Sequence, residues 1–166
     1  METQATAQSQ TPVVEVDPAV VDRTIKNHMW AAAGLGIIPV PWVDLAGVTL
    51  VQLNMLRKLS GYYGVPFVKN VVKNLVGALL GGVIPAAVAS PVASLVKFVP
   101  LVGTAIGVLT APVIGAATTY AVAKVFVQHF ASGGTFLTFD PEKVKDYYAQ
   151  MFKEGQQAAA EMKTEG

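Results

Sequence analysis

Cysteine is absent from the 166 residues, so the chain has no disulfide framework, no thiol nucleophile and no thiolate metal site. Histidine is scarce: His28 and His129 stand far apart in the sequence, and neither has a cysteine to help it bind a metal. A lone His among helical apolar residues is better explained as a satisfied structural group than as a ligand. No Gly-Lys dipeptide occurs, which excludes a Walker A phosphate loop, and there is no His-Glu-x-x-His motif, nucleophile elbow or paired-carboxylate cluster. Charge is thin, at 14% of residues, where a soluble domain carries about 25%. The net charge of +1 argues against a nucleic-acid binder. Gly (15) and Pro (10) make 25 of 166 residues, too few for a collagen-like or low-complexity chain. No cofactor is expected, and nothing supports an enzyme.

Acid is missing from the middle of the chain. Residues 1–27 hold four acids against two bases, and residues 140–166 six against four. Between Asp44 and Asp140 there is no carboxylate, only Arg57, Lys58, Lys69, Lys73, Lys97 and Lys124. Soluble surfaces intersperse both signs. Cationic side chains at the edges of apolar segments suit anionic lipid headgroups, whereas carboxylates do not. A small core whose few charges happen to be lysines is the alternative.

What is present is apolar and periodic. Residues 1–16 read as a disordered polar tail without a secretory signal. Residues 17–135 form an apolar helical domain, and 140–163 an amphipathic C-terminal helix. Asp17–Pro18 starts a helix with a capping aspartate and a first-turn proline; Val21, Ile25, Met29 and Ala32 share one side. Pro39 and Pro41 make a structural turn, completed by Asp44. A second helix runs to about Ser60, and a third from Pro66 to about Gly82. Two uncharged runs follow, Asn74–Val96 and Phe98–Ala123, both longer than the ~18 residues that raise the transmembrane question. Prolines break the first run at Pro85 and Pro91, and the second continues as a long helix from Gly103 to Phe130, kinked at Pro112.

Gly103, Gly107, Ala111, Gly115, Thr119 and Ala123 lie four apart on that helix, and Gly77 and Gly81 form a GxxxG on the third. Small residues at this spacing let helix backbones approach closely, which offsets a propensity cost of roughly 1 kcal/mol per glycine. A membrane hairpin and a tight soluble αα-hairpin both fit. On the last helix Val144, Tyr147, Tyr148, Met151, Phe152, Ala158, Ala159 and Met162 form an apolar side; Tyr148, Met151 and Phe152 are expected to contact a partner or lipid. Asp44 is the one carboxylate in the apolar half. It suits a first-turn structural anion better than a proton or partner site.

The stretches Gly34–Gly64 and Val99–Gly134 resemble the YcjF-type, GTPase-associated bacterial domain-of-unknown-function family, number six-nine-seven. The resemblance rests on the Pro-x-Pro-aromatic-x-Asp turn at Pro39 to Asp44, on Gln52 and Met55, and on the Tyr63–Gly64 end. The Val-Gly-Thr-Ala and Ala-Thr-Thr-Tyr-Ala runs complete it, and it covers about residues 20–135. It implies an all-α, membrane-associated domain, often fused behind a Ras-like GTPase, with no catalytic residue to carry over. A stand-alone module is then expected, its nucleotide coupling supplied by a GTPase in trans.

Together these features lead to a non-enzymatic all-α membrane protein of Gly/Ala-rich apolar hairpins. Its expected partners are membrane lipids, a GTPase in trans and further copies of itself, not nucleic acid. By the positive-inside rule it sits in the inner (cytoplasmic) membrane, with both termini cytoplasmic and Lys97 at the distal turn. A soluble helical adaptor and a carrier of an apolar ligand are the alternatives.

Overall fold

The computed structural model describes residues 14–37, 41–89 and 111–164; the side chains of 41–45, 81–89, 111, 163 and 164 lie outside that description. Among the described residues there are five helices and no strand: α1 Pro18–Leu35, α2 Pro41–Tyr62, α3 Lys69–Ala89, α4 Ala111–Ala131 and α5 Lys145–Thr164. The chain is all-α. No described helix is long and apolar enough to cross a membrane.

α1 begins where Asp17 accepts a 2.9 Å hydrogen bond from the Ala19 amide and proline fills the first turn. That pairing satisfies an amide left free at the helix start. Its buried residues Val21, Thr24, Ile25, Met29 and Ala32 recur every three or four positions, the spacing of one helix face. Val16, from the expected tail, packs against the same core; residues 1–13 lie outside the description.

Two helices end alike. At α2, Val65 N–H donates to Ser60 O (2.8 Å) and Gly64 N–H to Gly61 O (3.3 Å), with Gly64 at φ 67°. At α4, Gly134 N–H donates to His129 O and Gly133 N–H to Phe130 O, both at 2.9 Å, with Gly133 at φ 86°. This paired closure needs a left-handed residue, which glycine adopts without a Cβ clash.

Two boundaries differ from expectation. α3 starts at Lys69 and continues through Pro85 to Ala89, where the sequence reading placed a break. Asp140–Pro141 does not start the last helix: Asp140 caps a turn by accepting from the Glu142 amide at 3.0 Å, and α5 begins at Lys145.

α4 is the centre. It is buried on nearly every side, and α1, α2 and α5 pack around it. α3 touches α2, α4 and α5 through Val72, Val76 and Leu79. One end of the bundle is closed by an aromatic cluster. Phe139 stacks on Phe126 at 4.3 Å, while Phe136 meets Phe130 edge-on at 5.0 Å and Phe67 edge-on at 5.9 Å. Offset and edge contacts of this kind add about 0.5–1.5 kcal/mol each beyond burial.

Candidate functional site

The small residues mark the tightest contacts. A Cβ built on Gly115 would sit 3.1 Å from the Ala32 carbonyl oxygen of α1 and 3.7 Å from Val48 of α2. One helical turn on, Thr119 is fully buried and donates to Gly115 O at 2.8 Å; Ala123, a turn further, is buried too. Ala111 is the first residue of α4 and Gly81 lies in α3, the surroundings of both being outside the description; Gly103 and Gly107 lie outside the described residues altogether. Gly77 requires a correction. It is exposed, and a Cβ there would have nothing within 4 Å among the described residues, so it packs against none of the described helices. α3 simply turns its other face, Val72, Val76 and Leu79, inward.

A helix–helix approach tighter than that at Gly115 involves a residue the sequence reading passed over. A Cβ at Gly155 would meet the Ala117 carbonyl oxygen at 2.8 Å and Ala117 Cα at 3.0 Å. Gly155 lies in the middle of the buried α5 row Tyr148, Met151, Gly155, Ala159 and Met162. A signal was available: a mid-helix glycine costs about 1 kcal/mol, a cost that a close backbone contact offsets.

That seam also overturns the assignment of the C-terminal stripe to partner or lipid contact. Tyr148 and Met151 are buried inside the bundle, and Phe152 is half-buried against the same core. The physical reason is the apolar circumference of α4, which covers the stripe intramolecularly at no cost in association entropy. Burial pushes the Tyr148 phenol far above its ordinary pKa, and its hydroxyl has no hydrogen-bond partner among the described residues.

Polar groups in the core are few. Gln52 is fully buried between α2 and α4; its amide donates long bonds to Thr118 (3.4 Å) and Thr119 (3.5 Å), and its Oε1 has no partner among the described residues. The histidines are structural. The His28 ring donates from Nδ1 to Thr24 O at 2.7 Å, and the His129 ring from Nε2 to Thr135 O at 2.8 Å, tying down the loop after α4. Among the described residues no three His, Cys, Asp or Glu side chains lie close enough to hold a metal ion. Pro39 and the Asp44 side chain lie outside the description; Pro41 opens α2, and Asp44 stands in its first turn.

Between α1, α4 and α5 runs an open cleft of about 310 Å³, floored by Ile25, Met29 and Met162. Its rim bears Asp22, which pairs with Lys124 at 3.4 Å. Tyr120 also lines it; its phenol pKa is raised by burial, then by the nearby Glu154 and Asp22 carboxylates. Neighbouring charges of both signs make this a neutral groove with no focused field.

Fold and site together define a class: an all-α bundle seamed by close glycine contacts. The family model described as "Domain of unknown function (DUF697)" matches residues 3–157, and the chain belongs to that family. It is 37% identical over 145 residues to a protein named Magnetosome membrane protein 22, from Magnetospirillum gryphiswaldense (strain MSR-1), a match covering 87% of this chain and 74% of that protein. No solved structure matches.

Proposed function

We propose that this chain is a non-enzymatic helical protein that works at the inner membrane through helix–helix and lipid contacts. The observation that carries this reading is its identity to a relative named as a membrane protein, across most of both chains. The charge layout supports it: from 45 to 139 the sequence has bases and no acid, which favours an anionic lipid surface. No described helix is long and apolar enough to span a bilayer, and the reading asks only that the described helices meet lipid. The proposal has both termini on the cytoplasmic side, as the distribution of bases along the sequence suggests. A GTPase in trans and a second copy of the chain are proposed partners, reached through surfaces other than the buried Tyr148–Met151 stripe.

Partition tests the reading. The full chain, expressed without detergent, should pellet with membranes and float with vesicles containing anionic lipid. Recovery as a monodisperse species in the high-speed supernatant, with no flotation, would overturn it in favour of a soluble adaptor.

A further inference from the structure

We infer that the bundle meets the bilayer end-on, through the end opposite its aromatic cluster. This rests on the membrane reading above and adds which surface touches lipid. Four helix termini converge there. Gly47 of α2 abuts Leu35 of α1, and Gly115 of α4 abuts Ala32 of α1. Trp30, Pro112, Val113, Ala159 and Met162 enclose a small apolar pocket between α1, α4 and α5.

Charge avoids this end on three of the four helices. Residues 27–37, 45–56 and 111–123 contain no Asp, Glu, Lys or Arg. At 1.5 Å per residue the helical parts of these stretches are roughly 13–20 Å deep, close to the ~15 Å half-thickness of a hydrocarbon core. The first charge met below the band is basic on each helix: Lys26 on α1, Arg57 and Lys58 on α2, Lys124 on α4. Lys124 is paired there with Asp22, so the exposed Arg57 and Lys58 of α2 are the cations at that depth that match anionic headgroups. Asp44, in the first turn of α2, is the single acid at this end of the three helices; α5 is the helix that keeps charge near this end, with Glu161 between Ala159 and Lys163 in sequence.

Large apolar side chains stand exposed on the band: Ile37 at 75%, Leu50 at 61% and Trp30 at 44%, with Ile114 beside them. A soluble face would leave such a set to water, whereas a bilayer covers it, and an exposed indole suits the interface. The sequence entering α4 here, residues 90–110, has Lys97 as its sole charge. The opposite end also exposes Leu137, Val14 and Val68, but it carries ion pairs of both signs: Asp140 with Lys143, and Glu142 with Lys145.

The absence of native cysteine makes the test direct. Full-length Ile37→Cys, Leu50→Cys, Val68→Cys and Leu137→Cys variants are labelled with an environment-sensitive dye and mixed with vesicles of roughly 7:3 phosphatidylcholine to phosphatidylglycerol, a strongly anionic surface. The dyes at 37 and 50 should brighten and be quenched by nitroxide lipids; those at 68 and 137 should not respond. Flotation with the opposite response overturns the end-on inference and leaves the membrane reading standing. Absence of flotation overturns both. Brightening at 37 and 50 without vesicles, together with a dimer mass, would mean that a second copy covers this end, and also overturns the inference. As an independent check, Ile37→Glu/Leu50→Glu should weaken vesicle partition at least about tenfold, the equivalent of ~1.4 kcal/mol. Leu137→Glu should leave it unchanged, with helical circular dichroism preserved in both.

Discussion

The α4–α5 seam and the outer face of α3 carry the same kind of sequence signal and use it in opposite ways. At Gly155 and Gly115 a missing Cβ lets a neighbouring backbone carbonyl come within about van der Waals distance, whereas at Gly77 the same absence faces open space. A small residue therefore permits close approach without specifying it; the apolar residues around it decide which side is turned to a partner. On α5 they flank the glycine, with Met151 and Ala159 four positions to either side. On α3 Val76 and Leu79 lie on a different face from Gly77, and that face is the buried one.

The sharpest way to break this contrast is Gly155→Leu. The side chain would be driven into the Ala117 backbone, which cannot rotate away, so the expected loss is about 3 kcal/mol or more even after the helix-propensity gain. Gly115→Leu meets Ala32 O at the looser distance of 3.1 Å and should cost about 2 kcal/mol. Chemical denaturation of the purified full chain would rank the two. Equal tolerance at both positions would show that the seam is not the tight contact described.

The all-α class and the α1 cap were legible because each depends on a few adjacent residues whose chemistry is local. So was the buried row Val21, Ile25, Met29 and Ala32, which follows from spacing alone. The start of α5 was misread because Asp-Pro serves a turn as well as a helix cap, and only the downstream backbone decides between them. The fate of the C-terminal stripe was not legible either. An amphipathic helix announces that Tyr148 and Met151 will be covered, but whether by lipid, partner or α4 depends on a surface more than twenty residues away in sequence. Gly155 was missed for a related reason: its meaning lies in Ala117, on another helix.

The buried side of that seam has a pH signature. Tyr148 is held neutral by burial, its pKa far above the ordinary value, so above pH ~10 the unfolded chain loses a proton that the folded chain keeps. Stability present below that pH is therefore lost as the pH rises from the unfolded value toward the folded one, by about 1.4 kcal/mol per unit for one phenol. Tyr63 and Tyr120 are raised as well, mainly by partial burial, and add smaller slopes. Tyr148→Phe should remove the larger part of the alkaline loss. Because its hydroxyl has no partner among the described residues, the variant should be neutral or slightly stabilising at pH 7, as urea titrations at pH 7 and pH 11 would report. An unchanged alkaline slope would place the phenol in contact with water.

The smallest effect is expected on the open side, and its sign is informative. Gly77→Ala adds a methyl group to an exposed helix position with nothing within 4 Å among the described residues, so the only terms left are helix propensity and the reduced freedom of the unfolded chain. Both favour alanine, by up to about 1 kcal/mol, or a rise of roughly 2–4 °C in Tm for a domain of this size. Gly77→Leu should be tolerated equally well in the dilute protein. If leucine instead lowers self-association, or slows binding to vesicles while the Tm still rises, then this face of α3 closes against another molecule. The glycine would then serve the same close approach as Gly115 and Gly155, between molecules rather than within one.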